Sequence, residues 1–347
     1  MRIGVVVHGP EVIYSGFARH VLDVLEGYGS VEARLGGTMA KCALFDVGEH
    51  RVSMLNEMPS QSATALSECD VVVLLSQSKT TQSAFAFGEM VSRSSSCDVL
   101  VQVEPAVCIQ WKGKNEGARI ASILSLRLTE PPLPQIRIES HDSTVRRKVS
   151  GVLSGESIRI NGIVGGRAVS SDVVIVERHG RVVDVLGAVL KLEGVKKLGE
   201  VDIRDTTVRT GMLRGHVPER RVVRTDGGTI YLIDHDAESC FELASDAAGI
   251  ITVGDDTTAI AADILSRFSV PIVGIVDGDM DGSLPDGAVP HGSHILQVRA
   301  GHDDIVGMAV KKRVFGGKDR LRGKSIDEVR AEVLDIASHC LVHTTEH

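Results

Sequence analysis

Aromatic side chains are almost missing from this chain of 347 residues: one Trp, three Tyr and seven Phe make up 3% of it. Its cores must therefore be built from Val, Ile, Leu and Ala, and the many short Val/Ile runs favour buried strands. No excess of positive charge is present; the formal charge of −8 argues against general affinity for nucleic acid or anionic membranes. No apolar run approaches the roughly 20 residues needed to cross a bilayer, so no membrane partner is expected. MRIGVVVHGP enters a strand pattern at once, without the long apolar segment of a secretory leader. The cysteines at 42, 69, 97, 108, 240 and 340 form no CxxC and no Cys/His zinc spacing. They read as reduced structural thiols of a cytoplasmic protein. Also absent are the GxGxxG dinucleotide fingerprint, the GxSxG nucleophile turn and a Cys-His pairing.

What is present is an alternation of strand and helix signals at both ends of the chain. IGVVV (3–7), VEARL (31–35), DVVVLL (70–75) and DVLVQVE (98–104) read as strands of a mostly parallel sheet. A helix is expected from Ser15 as its cap to about Glu26, with Val21, Leu22, Val24 and Leu25 inward, and another near 79–93. TEPPLPQ (129–135) puts three prolines into four residues and marks a boundary. Residues of about 136–235 then read as an antiparallel β-rich region, punctuated by Asn-Gly and His-Gly turns and including TIYLIDHD. From about 240 the α/β rhythm returns, with ELASDAAG and DDTTAIAADILSRF helical, GIITV, PIVGIVD and HILQVRA as strands, and a last helix opened by a capping box at Ser325-Glu328. The expected fold class is α/β, with a β-rich middle region. A Rossmann-like or flavodoxin-like domain spans 1–130, a β-rich domain 131–238 and an α/β domain 239–347. Gly323-Lys324-Ser325 imitates the end of a P-loop, but Lys318 stands where the first glycine is needed.

Acidic clusters follow the strands of the last third. Asp255-Asp256 follows GIITV, Asp277-Gly278-Asp279-Met280-Asp281 follows PIVGIV, and Asp303-Asp304 follows HILQVRAGH, with Asp286 between the last two. Carboxylates at the ends of parallel strands can jointly hold a hard cation such as Mg²⁺, which in turn grips phosphate. In an extended turn Asp277, Asp279 and Asp281 would project to one face, where their charges repel unless neutralised. Gly254 allows a tight turn out of the strand, Gly278 and Gly282 suit a close approach of backbone or ligand, and Thr257 or Thr258 would assist at the helix start. Each cluster also has a plainer reading, Asp255 or Asp256 as a helix cap and the Asp/Gly run as a surface turn. His302 and Asp303 are the candidate acid/base pair, although a lone loop histidine is more often solvated. In the N-terminal region Gly9, after the first strand, and Gly36-Gly37-Thr38, after the second, could present amides to a phosphate, or simply form tight turns.

Two resemblances add to this reading. IGVVVHGPEVIYSG, LGGTM, VGDDTTAIAADILSRF, VDGDMDG and VRAGHDDIVG resemble, over most of the chain, a family of archaeal proteins of unknown function found chiefly in methanogens. That resemblance implies an archaeal cytosolic protein and supplies no activity. A Gly-Arg pair follows GGTM in that family, whereas Ala40-Lys41 stand there in this sequence. Residues 249–310 are also similar to thiamine pyrophosphokinases and archaeal hydroxymethylpterin pyrophosphokinases. Asp255, Pro271, Asp279-Met280-Asp281-Gly282 and Gly301-His302-Asp303 follow the order of motifs in those enzymes. The resemblance implies acidic residues that hold Mg²⁺ and ATP phosphates for attack by a substrate hydroxyl.

The expected function is therefore Mg²⁺-dependent binding of a nucleotide or other small phosphorylated ligand, with phosphoryl or pyrophosphoryl transfer as its chemistry. Its metal ligands would be Asp255, Asp256, Asp277, Asp279, Asp281, Asp303 and Asp304. The alternative is a sensor or assembly protein that binds nucleotide or metal without turnover. A toprim-like nuclease fits less well, since the upstream acid is one crossover away rather than two. Arg267 and Arg299 are the nearest cations in sequence, and self-association into a homo-oligomer is left open.

Overall fold

The continuous apolar runs of the first hundred residues become the covered middle of a parallel sheet. In the computed structural model of the protein, residues 1–37, 40–132, 138–211, 220–234, 237–278 and 289–347 are described. They form mixed α/β structure, with sheets of parallel strands and sheets of antiparallel ones, in two compact units, Met1–Arg214 and Gly215–His347.

In the first unit β1 (Arg2–His8), β2 (Ser30–Leu35), β3 (Val52–Ser53), β4 (Val71–Ser76) and β5 (Leu100–Glu104) are parallel, in the order β3-β2-β1-β4-β5. β6 (Val107–Lys112) returns antiparallel to β5, and β7 (Arg127–Thr129) lies parallel to β6 at the edge. Ile3, Val5 and Val7 enter one core and Val6 another, so β1 is buried on both faces and shows no polar alternation. The helices divide between those faces. α1 (Glu11–Tyr14), α2 (Phe17–Glu26), α3 (Lys41–Val47) and α6 (Glu116–Ile123) feed the first core, whereas α4 (Pro59–Ala65) and α5 (Thr81–Ser94) feed the second. Ser15 does not cap one long helix: α1 ends at Tyr14, and Gly16, at φ +77°, is the N-cap of α2. A left-handed residue there turns the chain between two short helices, which a cap signal alone does not reveal.

The β-rich stretch of this unit contains two antiparallel sheets that share one core. β8 (Ile138–His141), β9 (Thr144–Val149), β12 (Val173–Arg178) and β13 (Arg181–Leu186) form one, in the order β13-β12-β9-β8. β10 (Ser157–Ile160), β11 (Ile163–Ala168), β14 (Ala188–Leu190) and β15 (Val208–Gly211) form the other, in the order β14-β11-β10-β15, with α7 (Leu192–Leu198) alongside β11. Asn161-Gly162 and His179-Gly180 both have positive φ at both residues, as tight hairpin turns require.

In the second unit β16 (Thr229–Asp234), β17 (Ala247–Val253), β18 (Ile272–Val276) and β19 (His294–Val298) are parallel neighbours in chain order. β20 (Arg320–Arg322) and β21 (Leu341–Glu346) flank them antiparallel. TIYLID is thus a parallel strand of this sheet rather than part of the antiparallel region. Ile230 and Leu232 bury against the same core as Ile251 and Val273, and that packing overrides the texture of the local sequence. ELASDAAG is helical only in α8 (Cys240–Leu243), since Ala247 already begins β17. α9 (Asp255–Leu265) packs on β17 and β18, and α10 (Asp303–Arg313) pairs with α11 (Ile326–Ala337). Ser325 caps α11, accepting from Glu328 N–H while the Glu328 carboxylate accepts from Ser325 N–H. Among the described residues no helix is long and apolar enough to cross a membrane.

Candidate functional site

Parallel strands that run side by side end side by side, so β17, β18 and β19 deliver their following residues to one edge of the second unit's sheet. Gly254, at φ +94°, turns the chain out of β17, and Asp255 is the first residue of α9. Asp277 comes directly after β18, and Asp303 opens α10 after β19. The three loops are tied to one another. Asp277 N–H donates to Asp255 Oδ2 at 3.1 Å, and Gly301 N–H donates to Asp277 Oδ2 at 2.8 Å. A methyl group at Gly254 would lie 3.9 Å from Asp303 Oδ2 and 3.7 Å from Thr257 Oγ1. Asp255 is only 7% exposed and Asp303 only 4%. The sequence-predicted convergence of Asp255, Asp277, Asp303, Gly254 and Thr257 is therefore present in the fold.

The other expected residues fare differently. Asp256 and Asp304 are second in the first turns of α9 and α10, half-buried, where negative charge complements the helix dipole. Gly278, at φ +81°, is held against Gln297, whose Nε2 would be 2.4 Å from a Cβ placed there. That contact, more than ligand approach, explains the glycine. His302 is half-buried, and its Nδ1–H donates to Ala300 O at 3.1 Å. Asp279 and Asp281, with Asp286, lie outside the described residues. Among the described residues no group of three or more His, Cys, Asp or Glu side chains is arranged to hold a metal ion. The two cations nearest in sequence are occupied elsewhere. Arg267 follows the C-terminal end of α9, 1% exposed and paired with Asp263, and Arg299 donates to His339 O.

The first unit offers a second edge. There His8 ends β1 and Ser76, its register partner, ends β4. Glu104 ends β5 and accepts four hydrogen bonds, from Ser76 Oγ (2.8 Å), Ser78 N (2.7 Å), Ser78 Oγ (2.8 Å) and Gln102 Nε2 (2.9 Å). His8 Nδ1–H donates to Gly36 O at 2.6 Å, and the ring stacks on Phe87 with centroids 4.2 Å apart. Burial, and secondarily the charge of Arg209, push its pKa below the ordinary imidazole value, against the opposing effect of the Gly36 bond. The glycines do not serve as a phosphate cradle. Gly36 N–H donates to Val7 O and Gly37 N–H to Glu57 O, both at 2.9 Å. Gly36 is required because a Cβ would come within 2.8 Å of Pro59 and Val6, and Gly37 and Gly9 because their φ values are +98° and +90°. Thr38 lies outside the described residues. Lys41, which stands where the related pattern has arginine, is buried at the start of α3 and donates to Asn56 Oδ1. Sequence reasoning passed over His8, Glu104 and Arg209. The signal available for the first two was a polar residue placed directly at the end of an all-apolar strand.

Comparison with known proteins gives a family and no activity. Residues 5–318 match the family described as "Uncharacterized protein conserved in archaea (DUF2117)". The "Uncharacterized protein MJ0065" of Methanocaldococcus jannaschii is 35% identical over 348 residues, covering 95% of this chain and 96% of that protein. No solved structure matches the chain.

Proposed function

We propose, for a chain that belongs to the archaeal DUF2117 family, that its second unit binds a divalent cation, Mg²⁺ by preference, and with it the phosphates of a nucleotide or other small phosphorylated metabolite. The observation that carries this reading is the meeting of Asp255, Asp277 and Asp303 at the ends of three adjacent parallel strands, two of them almost fully buried. Buried carboxylates this close are costly unless a positive charge or several donors offset them. Hard oxygen donors of this kind suit Mg²⁺. Asp279 and Asp281 complete the ligand set in this reading. When bound, the cation neutralises phosphate charge, and His302 and Asp303 stand at the same edge to move a proton in phosphoryl or pyrophosphoryl transfer. Reduced thiols fit a cytoplasmic setting, since none of the six cysteines is in a disulfide.

A second reading is favoured by the two amide bonds. In it Asp255 and Asp277 latch neighbouring loops together and bind nothing further. Thermal unfolding of the full-length chain with ATP, with and without Mg²⁺, separates the two, because a ligand of the native state must raise the melting temperature. The binding reading predicts a Mg²⁺-dependent rise that Asp279→Asn combined with Asp281→Asn abolishes. A rise that survives that double substitution contradicts the ligand set, and a melting temperature that Mg²⁺ leaves unchanged leaves the latch.

A further inference from the structure

The loops after β1 and β4 part company in the middle of the first unit's sheet, because α1 and α2 pack on one face and α5 on the other. A crevice at such a switch point is where open α/β sheets take up small ligands. His8 and Ser76 stand at its two sides as register partners. β15 comes to the same loops from the antiparallel region. Lys79, just after β4, donates to Glu156 Oε1 at 2.6 Å and to Thr210 O at 3.2 Å, and Arg209 of β15 is near enough for its charge to act on His8.

Two acceptors are prepared at this point. A carbonyl oxygen can only accept, so the His8–Gly36 bond places the ring proton on Nδ1 and makes Nε2 an acceptor in the neutral imidazole. Gln77, the first residue past β4, keeps its carboxamide oxygen out of solvent, where it receives no hydrogen bond from the described residues. An acceptor shielded in this way is destabilising until a donor reaches it. With the amides of Gly36 and Gly37 committed to backbone carbonyls, any anion here must be met by side chains, and Arg209 supplies the charge.

We propose that this switch point at the ends of β1 and β4 binds a small metabolite carrying a phosphate group beside free hydroxyls, a sugar phosphate in its simplest form. The hydroxyls donate to His8 Nε2 and Gln77 Oε1, and the phosphate lies against the Arg209 guanidinium. This site needs no divalent cation and is independent of the carboxylates of the second unit, so either can fail alone.

The test is NMR of the His8 imidazole in the full-length chain, assigned by its loss in His8→Gln, with ribose 5-phosphate as probe and EDTA present. The expected result is a saturable shift of the His8 resonance, with ribose alone and inorganic phosphate each binding more weakly. Arg209→Gln should weaken ribose 5-phosphate by about tenfold, equivalent to about 1.4 kcal/mol. Gln77→Leu should weaken ribose 5-phosphate and leave inorganic phosphate unchanged, an outcome that a merely structural Gln77 would not produce. A His8 resonance that ribose 5-phosphate does not move overturns the proposal. So does a folded Arg209→Gln chain that binds as tightly as the wild type, or inorganic phosphate binding as tightly as the sugar phosphate.

Discussion

The two parallel sheets end in opposite chemistry. The first has strand order β3-β2-β1-β4-β5, with a reversal between β1 and β4, and its carboxyl edge carries His8, Ser76, Glu104 and the nearby Arg209. The second advances β16-β17-β18-β19 without reversal, and its edge carries Asp255, Asp277 and Asp303. In the first sheet the strand order reverses between β1 and β4, and the buried carboxylate of Glu104 is satisfied by four donors. In the second no reversal opens the edge, and the polar groups are drawn together instead by loops that bond to one another. Strand-end position is thus shared, while what gathers there differs: a reversal of strand order beside His8 in one unit, acidic side chains in the other.

The comparison can be broken most forcefully at Glu104. Glu104→Leu leaves Ser76, Ser78 and Gln102 donors without their acceptor, and a loss of about 3 kcal/mol or more in denaturant unfolding is expected. A near-neutral result would mean that the first edge is not held by that network. Next is Glu49, 8% exposed, whose pKa the Arg51 guanidinium lowers to about 2 from 4.5. A depressed carboxylate stabilises the fold above its unfolded value and loses that contribution as pH falls from about 4.5 to about 2. Glu49→Gln should therefore cost up to about 3 kcal/mol at neutral pH and flatten stability across that window, measured by urea unfolding at several pH values. This is a stabilising pair remote from either edge, and it gauges what a structural carboxylate does alone.

Asp255→Asn sharpens the contrast between latch and ligand. Loss of a charged acceptor for Asp277 N–H should cost about 1–2 kcal/mol without cation. If the carboxylate also holds a cation, the substitution removes cation-induced stabilisation in addition. The smallest effect belongs to His8. Its folded pKa is below the unfolded value of 6.5, so the unfolded chain takes up a proton first as the solution is acidified. Stability from this group is complete above about pH 6.5 and declines below it, and His8→Gln should remove that slope from a stability–pH curve.

Much of this architecture was legible in local pattern. IGVVV, DVVVLL, GIITV and PIVGIV are buried strands because unbroken Val/Ile runs suit a sheet covered on both faces. Asp255, Asp277 and Asp303 could be brought together on paper, since one βαβ crossover returns the chain to the same edge. Pairing order is a different matter. That β1 lies between β2 and β4 depends on long-range packing, so the switch point and the place of His8 were not visible. TIYLID could not be assigned to its sheet for the same reason. Gly36 and Gly37 resembled a phosphate loop because glycine signals tight backbone, and nothing in a one-dimensional pattern shows which carbonyl already takes the amide.

Paramagnetic Mn²⁺, standing in for Mg²⁺, tests most directly whether the second unit's carboxylates hold a cation. Backbone amide resonances of Gly254, Asp277 and Gly301 in the full-length chain would be followed as Mn²⁺ is added. The account predicts that these three broaden at the lowest additions, and that Asp303→Asn combined with Asp279→Asn prevents it. Broadening that begins elsewhere, or is uniform over exposed acidic residues and unaffected by those substitutions, would contradict it.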